Sequence, residues 1–175
     1  MKNKYLIITI AMLFLLTGCW WMESIRCEID LNNNTCTYTF QNVFSIPNSD
    51  TLNWSDANAR EDWEEFKNLY EKDSLIILEN IKILDKKMYV KNHQLFCEIK
   101  FHFKDLKDII GNDTTISEGY RFKPDFGSII STNGKIMNDS SIVWSTKQTK
   151  LIFSLNYSDE KSLSKSISLA QFFNE

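Results

Sequence analysis

The sequence predicts an α+β domain: an antiparallel, meander-like sheet carrying one main helix on one face. Three observations carry this expectation. Apolar residues alternate with polar ones over several short runs. One stretch near residue 60 has helical spacing instead. The turn signals between the runs are close together, which favours local hairpins over parallel crossovers.

Residues 24–31 and 35–45 read as a first hairpin, with Asn32, Asn33 and Asn34 supplying the turn. Alternation places Cys27, Ile29 and Leu31 on one face of the first strand, and Cys36, Tyr38 and Phe40 on one face of the return strand. Residues 46–57 read as a loop. Asp56 is positioned to cap the helix that follows, over about 57–72. In that helix Ala59, Trp63, Phe66 and Tyr70 form an apolar stripe that needs a partner, and the sheet's apolar face is the natural one.

Residues 76–84 predict a strand, with Asp85, Lys86 and Lys87 turning the chain into another at 87–91. Asn92-His93 is the next candidate turn, and 94–104 is the clearest alternation in the chain. Leu106, Ile109 and Ile110 fit one helical turn within 104–110. Residues 117–123 carry Tyr120 and Phe122 at strand spacing. Asn133-Gly134 is a strong hairpin signal, because a type I′ turn needs φ > 0 at both positions. It is expected to join strands near 127–132 and 135–138. Short strands are expected at 141–145 and 149–157, and the apolar tail after Ser158 as a short helix or a docked extended segment.

The first nineteen residues have a different character. Lys2 and Lys4 precede an uncharged apolar run, as in the charged region and hydrophobic core of a secretory signal. The run ends in Leu16-Thr17-Gly18-Cys19. This leader resembles that of bacterial prolipoproteins, whose lipobox has Leu, a small residue, Gly and then Cys. The resemblance implies diacylglycerol on the Cys19 sulfur, cleavage just before it, and frequent further acylation of the new amino group. It implies a signal peptide over 1–18, a lipidated tether over 19–23 and one domain over 24–175. In enterobacterial lipoproteins an aspartate after the cysteine resembles an inner-membrane retention signal. Trp20 stands there instead, which leans towards the outer membrane where the organism has one.

Two or three acyl chains hold a soluble domain durably where one gives only marginal binding. Trp20, Trp21 and Met22 then either press against headgroups or pack on the domain. The alternative to a lipid anchor is an uncleaved transmembrane helix from Tyr5 to Met22, near the lower length limit for spanning a bilayer. In both readings the body of the chain lies outside the cytoplasm.

Cleavage would leave 175 − 18 = 157 residues, enough for one domain with a real core. Losing Lys2 and Lys4 takes the net charge from −3 to −5. Mild acidity with scattered lysines argues against a nucleic-acid partner. Cys27, Cys36 and Cys97 remain after the lipid site, and export permits disulfides. Cys27 and Cys36 could face each other across the first hairpin and bond, or stay reduced and buried. Cys97 shares an apolar face with Leu95, Ile99, Phe101 and Phe103 and reads as core.

No constellation points to one chemistry. His93 falls in a turn and His102 points away from its strand's apolar face, with no metal-ligand spacing around either. There is no nucleophile elbow and no phosphate loop. Glu61, Asp62, Glu64 and Glu65 read as a solvated helix face, or as a weak calcium or docking surface. Trp54, Trp63 and Trp144 are core candidates that could instead line a lipid or sugar pocket. The expectation is therefore a non-enzymatic, membrane-attached envelope component without a cofactor, binding another envelope protein or serving structurally. A carrier of a small apolar ligand is the alternative, and an enzyme acting on an envelope polymer is a more distant one.

Overall fold

The computed structural model describes residues 20–47, 55–76, 81–111, 115–116, 119–158 and 163–174. Cys19, Trp54 and the leader lie outside them. The fold is α+β, with two antiparallel sheets and one main helix. Strands β1 (Trp20–Asp30), β2 (Thr35–Ser45), β3 (Lys82–Lys91), β4 (Gln94–His102), β7 (Ser128–Thr132) and β10 (Lys150–Asn156) form the large sheet, in the order β3-β4-β2-β1-β10-β7. The short β11 (Ile167–Ser168) pairs with the end of β2. A smaller sheet has the order β5-β6-β9-β8, from β5 (Thr115–Ile116), β6 (Gly119–Phe122), β9 (Ile142–Ser145) and β8 (Lys135–Ile136). Helix α1 spans Asp56–Glu71, α2 is the single turn Lys107–Ile110, and a 3-10 turn covers Leu169–Phe172.

The β1–β2 hairpin closes as the asparagines predict. The Asp30 carboxylate accepts from the Asn32 N–H at 3.0 Å and from the Asn33 side chain at 2.9 Å, and Asn34 takes φ 50°. These hydrogen bonds, led by that from Asn33, hold the Asp30 carboxyl below its usual range. Strands β3 and β4 join through Asn92 and His93, both at positive φ, which is the backbone a two-residue type I′ hairpin demands.

Four expectations are corrected. Strand β1 starts at Trp20, so residues 20–23 belong to the sheet rather than to a tether; Trp20 and Met22 are buried in the core. The helix is capped by Ser55, not Asp56: the Asn58 side chain accepts from the Ser55 N–H at 3.2 Å and from its hydroxyl at 2.8 Å. Asp56 instead sits in the first turn, where its charge complements the helix dipole. Residues 85–87 do not turn. They continue β3, which absorbs one extra residue, Leu84, as a bulge between Ile83 and Asp85.

The fourth correction concerns Asn133-Gly134. It joins no hairpin, and neither residue has positive φ. It carries the chain from β7 in the large sheet to β8 in the small one. The cause is the Asn133 side chain. Its oxygen accepts from the Ile152 N–H and from the Trp144 indole, both at 2.8 Å, and its amide donates to the Lys150 carbonyl at 2.9 Å. Gly134 is needed for close approach, since a Cβ there would lie 2.6 Å from the Ile142 side chain and 2.7 Å from the Trp144 ring.

One inner face runs across four strands of the large sheet. Register aligns Cys27 and Ile29 with Tyr38 and Cys36, those with Ile99 and Phe101, and on the other side with Phe153 and Leu151. All are buried. The small sheet packs over this face at β10, where Phe122 stacks on Phe153 with centroids 4.5 Å apart. Helix α1 contributes Ala59, Trp63 and Phe66 to the same core, as its stripe predicts. At Asn42 (φ 52°) the buried positions change phase, so that Val43, Met22 and Trp20 are the next inward residues although the β1–β2 register is unbroken. Trp20 meets Phe66 edge to face at 4.9 Å.

Both outer strands of the large sheet are guarded. Edge strand β3 is bulged at Leu84 and edge strand β7 at Ile130, the extra residue between the Ser131↔Ser154 and Ile129↔Leu155 pairs. Bulges spoil an edge as a template for a further strand, which offsets the exposure of these two apolar side chains (47% and 58%).

Candidate functional site

The described concavity with mixed chemistry lies along the outer edge of α1, between it, β3 and the C-terminal turn. It encloses about 490 Å3 and is lined by Arg60, Trp63, Glu64, Lys67, Tyr70, Glu71, Met88, Phe172 and Phe173. The helix supplies most of it for a simple reason. Arg60, Glu64, Lys67 and Glu71 recur at steps of four, three and four, so they fall on one ridge beside the apolar stripe. Trp63, mostly buried, forms the floor and meets Phe173 edge to face at 6.3 Å. The Arg60 guanidinium lies 4.9 Å from the centre of the Phe172 ring.

Lys86 holds the end of α1 beside the cleft residues Tyr70 and Glu71. Its ammonium donates to the Tyr70 carbonyl at 2.7 Å and the Glu71 carbonyl at 3.2 Å, pairs with Asp73 at 2.6 Å, and sits 4.9 Å from the Tyr70 ring centre. A cation on the last carbonyls of a helix is favourable. It joins a Schellman ending, in which the Ser74 N–H reaches the Leu69 carbonyl and the Asp73 N–H reaches that of Tyr70. Desolvation, first among several causes, pushes the Tyr70 hydroxyl up to about 12. The cleft can therefore offer a neutral phenol, two cations, two carboxylates and an aromatic floor. That is equipment for binding, with both charge signs at the rim.

The remaining sequence candidates fall elsewhere. Cys27 and Cys36 are not directly opposite: Cys27 faces Tyr38 and Cys36 faces Ile29. Their sulfurs are diagonal neighbours 3.6 Å apart, and Cys27, Cys36 and Cys97 are all free and buried. Burial, then the hydrogen bond with Cys36, pushes the Cys27 thiol well up; burial does the same for Cys97. Such thiols are poor nucleophiles. The Tyr38 hydroxyl, buried beside this pair, has no hydrogen-bond partner among the described residues. His93 is exposed in its turn, and its carbonyl accepts from the Ser168 hydroxyl at 3.2 Å. His102 is exposed at the end of β4.

The acidic helix face is only partly solvated. Glu61 and Glu64 are exposed, but Asp62 is turned inward, 7% exposed, and accepts from the Ser45 hydroxyl at 2.5 Å. No group of three or more His, Cys, Asp or Glu side chains that could hold a metal ion occurs among the described residues. Trp144 is fully buried, whereas Trp63 lines the cleft. Between α1 and the sheet, Trp20 and Phe66 pack against each other within the core. Met88, in the strand expected over 87–91, was missed as a site residue because nothing local in the sequence places β3 beside α1. Compared with family models, curated proteins and solved structures, the chain finds no match.

Proposed function

We propose that this chain is a lipid-anchored component of a bacterial cell envelope that binds another envelope protein or serves structurally, without catalysis. The observation that carries the reading is the junction at Cys19. A basic, apolar leader ends in Leu16-Thr17-Gly18-Cys19, and β1 begins at the next residue. That junction also weighs against a transmembrane anchor. With Trp20 to Met22 committed to β1, the uncharged run shrinks from 5–22 to 5–19, fifteen residues, while about twenty are needed to span. No described helix is long and apolar enough to cross a membrane. The outer membrane is the favoured address where the organism has one.

The cleft on α1 supports the binding role. Aromatic anchors at the centre and charges at the rim are the usual anatomy of a protein-recognition patch. The same cleft favours a second reading, a small amphipathic ligand, since its volume suits one. Metabolic labelling with a palmitate analogue, followed by membrane fractionation, tests the anchor. Wild type is expected to label and to sediment with membranes, and Cys19→Ala to do neither. Equal labelling of both chains would reject the proposal.

A further inference from the structure

Cys19 is followed by a residue that is already folded. Trp20 is 1% exposed, pairs with Ser45 on β2, and packs on Phe66. Consecutive Cα atoms are about 3.8 Å apart. No spacer therefore separates the expected lipid-bearing residue from the domain.

The central strands of the large sheet are also uneven in charge along their length. At the Trp20 end, β1 opens with Trp20-Trp21-Met22, β2 closes with Val43-Phe44-Ser45 and continues to Ile46-Pro47, and β11 adds Ile167-Ser168. None of these residues is ionisable; exposed ionisable side chains at this end, Lys91 and His93, belong to the neighbouring β3–β4 turn, where the His93 carbonyl accepts from Ser168. The two carboxylates beside the uncharged residues are engaged: Asp62 accepts from Ser45, and Glu23 accepts from the Asn42 amide at 2.7 Å. At the opposite end Asp30, Lys82, Lys100, His102 and Lys150 cluster at the strand ends in matching register.

We propose that the domain lies directly on the bilayer, with the Trp20–Ser45–Ile167 end of the large sheet at the lipid headgroups. This rests on the lipid anchor at Cys19. Charged groups resist desolvation at a membrane surface and uncharged ones do not, so the β1–β2–β11 part of this end tolerates contact, while the exposed Lys91 beside it can meet anionic headgroups without leaving water. The half-buried Trp21, whose indole donates to the Tyr157 carbonyl at 3.2 Å, is an interfacial residue already held in place. At about 3.3 Å per residue the eleven residues of β1 put the β1–β2 turn roughly 36 Å from the attachment point. The cleft lies near the membrane, because its floor, Trp63, reaches Trp20 through Phe66 alone.

The full chain, purified with its lipid and placed in phosphatidylcholine–phosphatidylglycerol vesicles, tests this. A fluorophore is installed through a clickable amino acid at Pro47 or at Asn33, and some lipids carry a nitroxide on the headgroup. The Pro47 label is expected to be quenched at least about threefold more than the Asn33 label, given the separation along β1. Equal quenching, with the lipid verified by mass, overturns the apposition and leaves the anchor standing. A chain without lipid overturns both. About twelve Gly and Ser residues inserted between Cys19 and Trp20 form a flexible spacer and are expected to erase the difference. A difference that survives the insertion overturns the role of the missing spacer.

Discussion

The side-chain oxygen of Asn133 accepts the indole N–H of Trp144 at 2.8 Å, and so joins the connection between the two sheets to the ring at their interface. The same oxygen accepts the Ile152 N–H. Asn133→Ala strands both donors, which costs about 1–3 kcal/mol. At roughly 2–4 °C per kcal/mol the melting temperature should fall by about 5 °C. Asn133→Asp keeps the acceptor and should lose less. Thermal unfolding by circular dichroism measures both, and an unchanged Asn133→Ala midpoint would show that the bonds contribute nothing.

Tyr38 supplies the opposite case. Its hydroxyl is buried beside Cys27 and Cys36 without a partner among the described residues, so it carries a desolvation cost with no return. Tyr38→Phe removes that cost and keeps the ring packed on Phe101. Chemical denaturation should find the variant as stable as wild type or more so, by up to about 2 kcal/mol. A loss greater than about 1 kcal/mol would mean that the hydroxyl is bonded in solution.

Asp139 sets a pH dependence. Hydrogen bonds from the Ser141 hydroxyl first, then from its N–H, and the Arg121 guanidinium beside it hold the Asp139 carboxyl down at about 2. A folded value below the unfolded one means stability that is present above about pH 4 and lost as pH falls through about 2. Asp139→Asn should flatten the fall in stability between pH 4 and 2. A carboxyl carbon NMR titration of Asp139 with a midpoint near 3.8, the ordinary value, would remove the basis for this.

The thiols of Cys27, Cys36 and Cys97 should resist alkylation in the folded chain and react on unfolding without reductant. All three are buried, and none is in a disulfide. The first two sit diagonally, with sulfurs 3.6 Å apart against about 2 Å in a disulfide. Mass spectrometry should count three added groups. A count of one would reveal a Cys27–Cys36 disulfide.

Much of this fold is legible locally. The Asn32–Asn34 turn, the Asn92-His93 turn and the strand from residue 94 follow from turn chemistry and period-two alternation, because their partners are neighbours in sequence. Asn133-Gly134 was misread for the converse reason. Its local preference for a hairpin is outweighed by side-chain bonds to Trp144 and Ile152, residues eleven and nineteen positions away. The Asp85-Lys86-Lys87 run looked like a turn, yet Lys86 is held in a strand by the end of α1, a contact no local pattern announces. The cleft was half visible. Trp63 and the ridge of alternating charges can be read from helical spacing, but Phe172 and Phe173 reach it from the far end of the chain.

The most direct measurement is the intact mass of the N-terminal peptide of the native protein. The account predicts a chain that begins at Cys19 and carries diacylglycerol on its sulfur. A peptide that begins at Met1 and bears no fatty chain would contradict it.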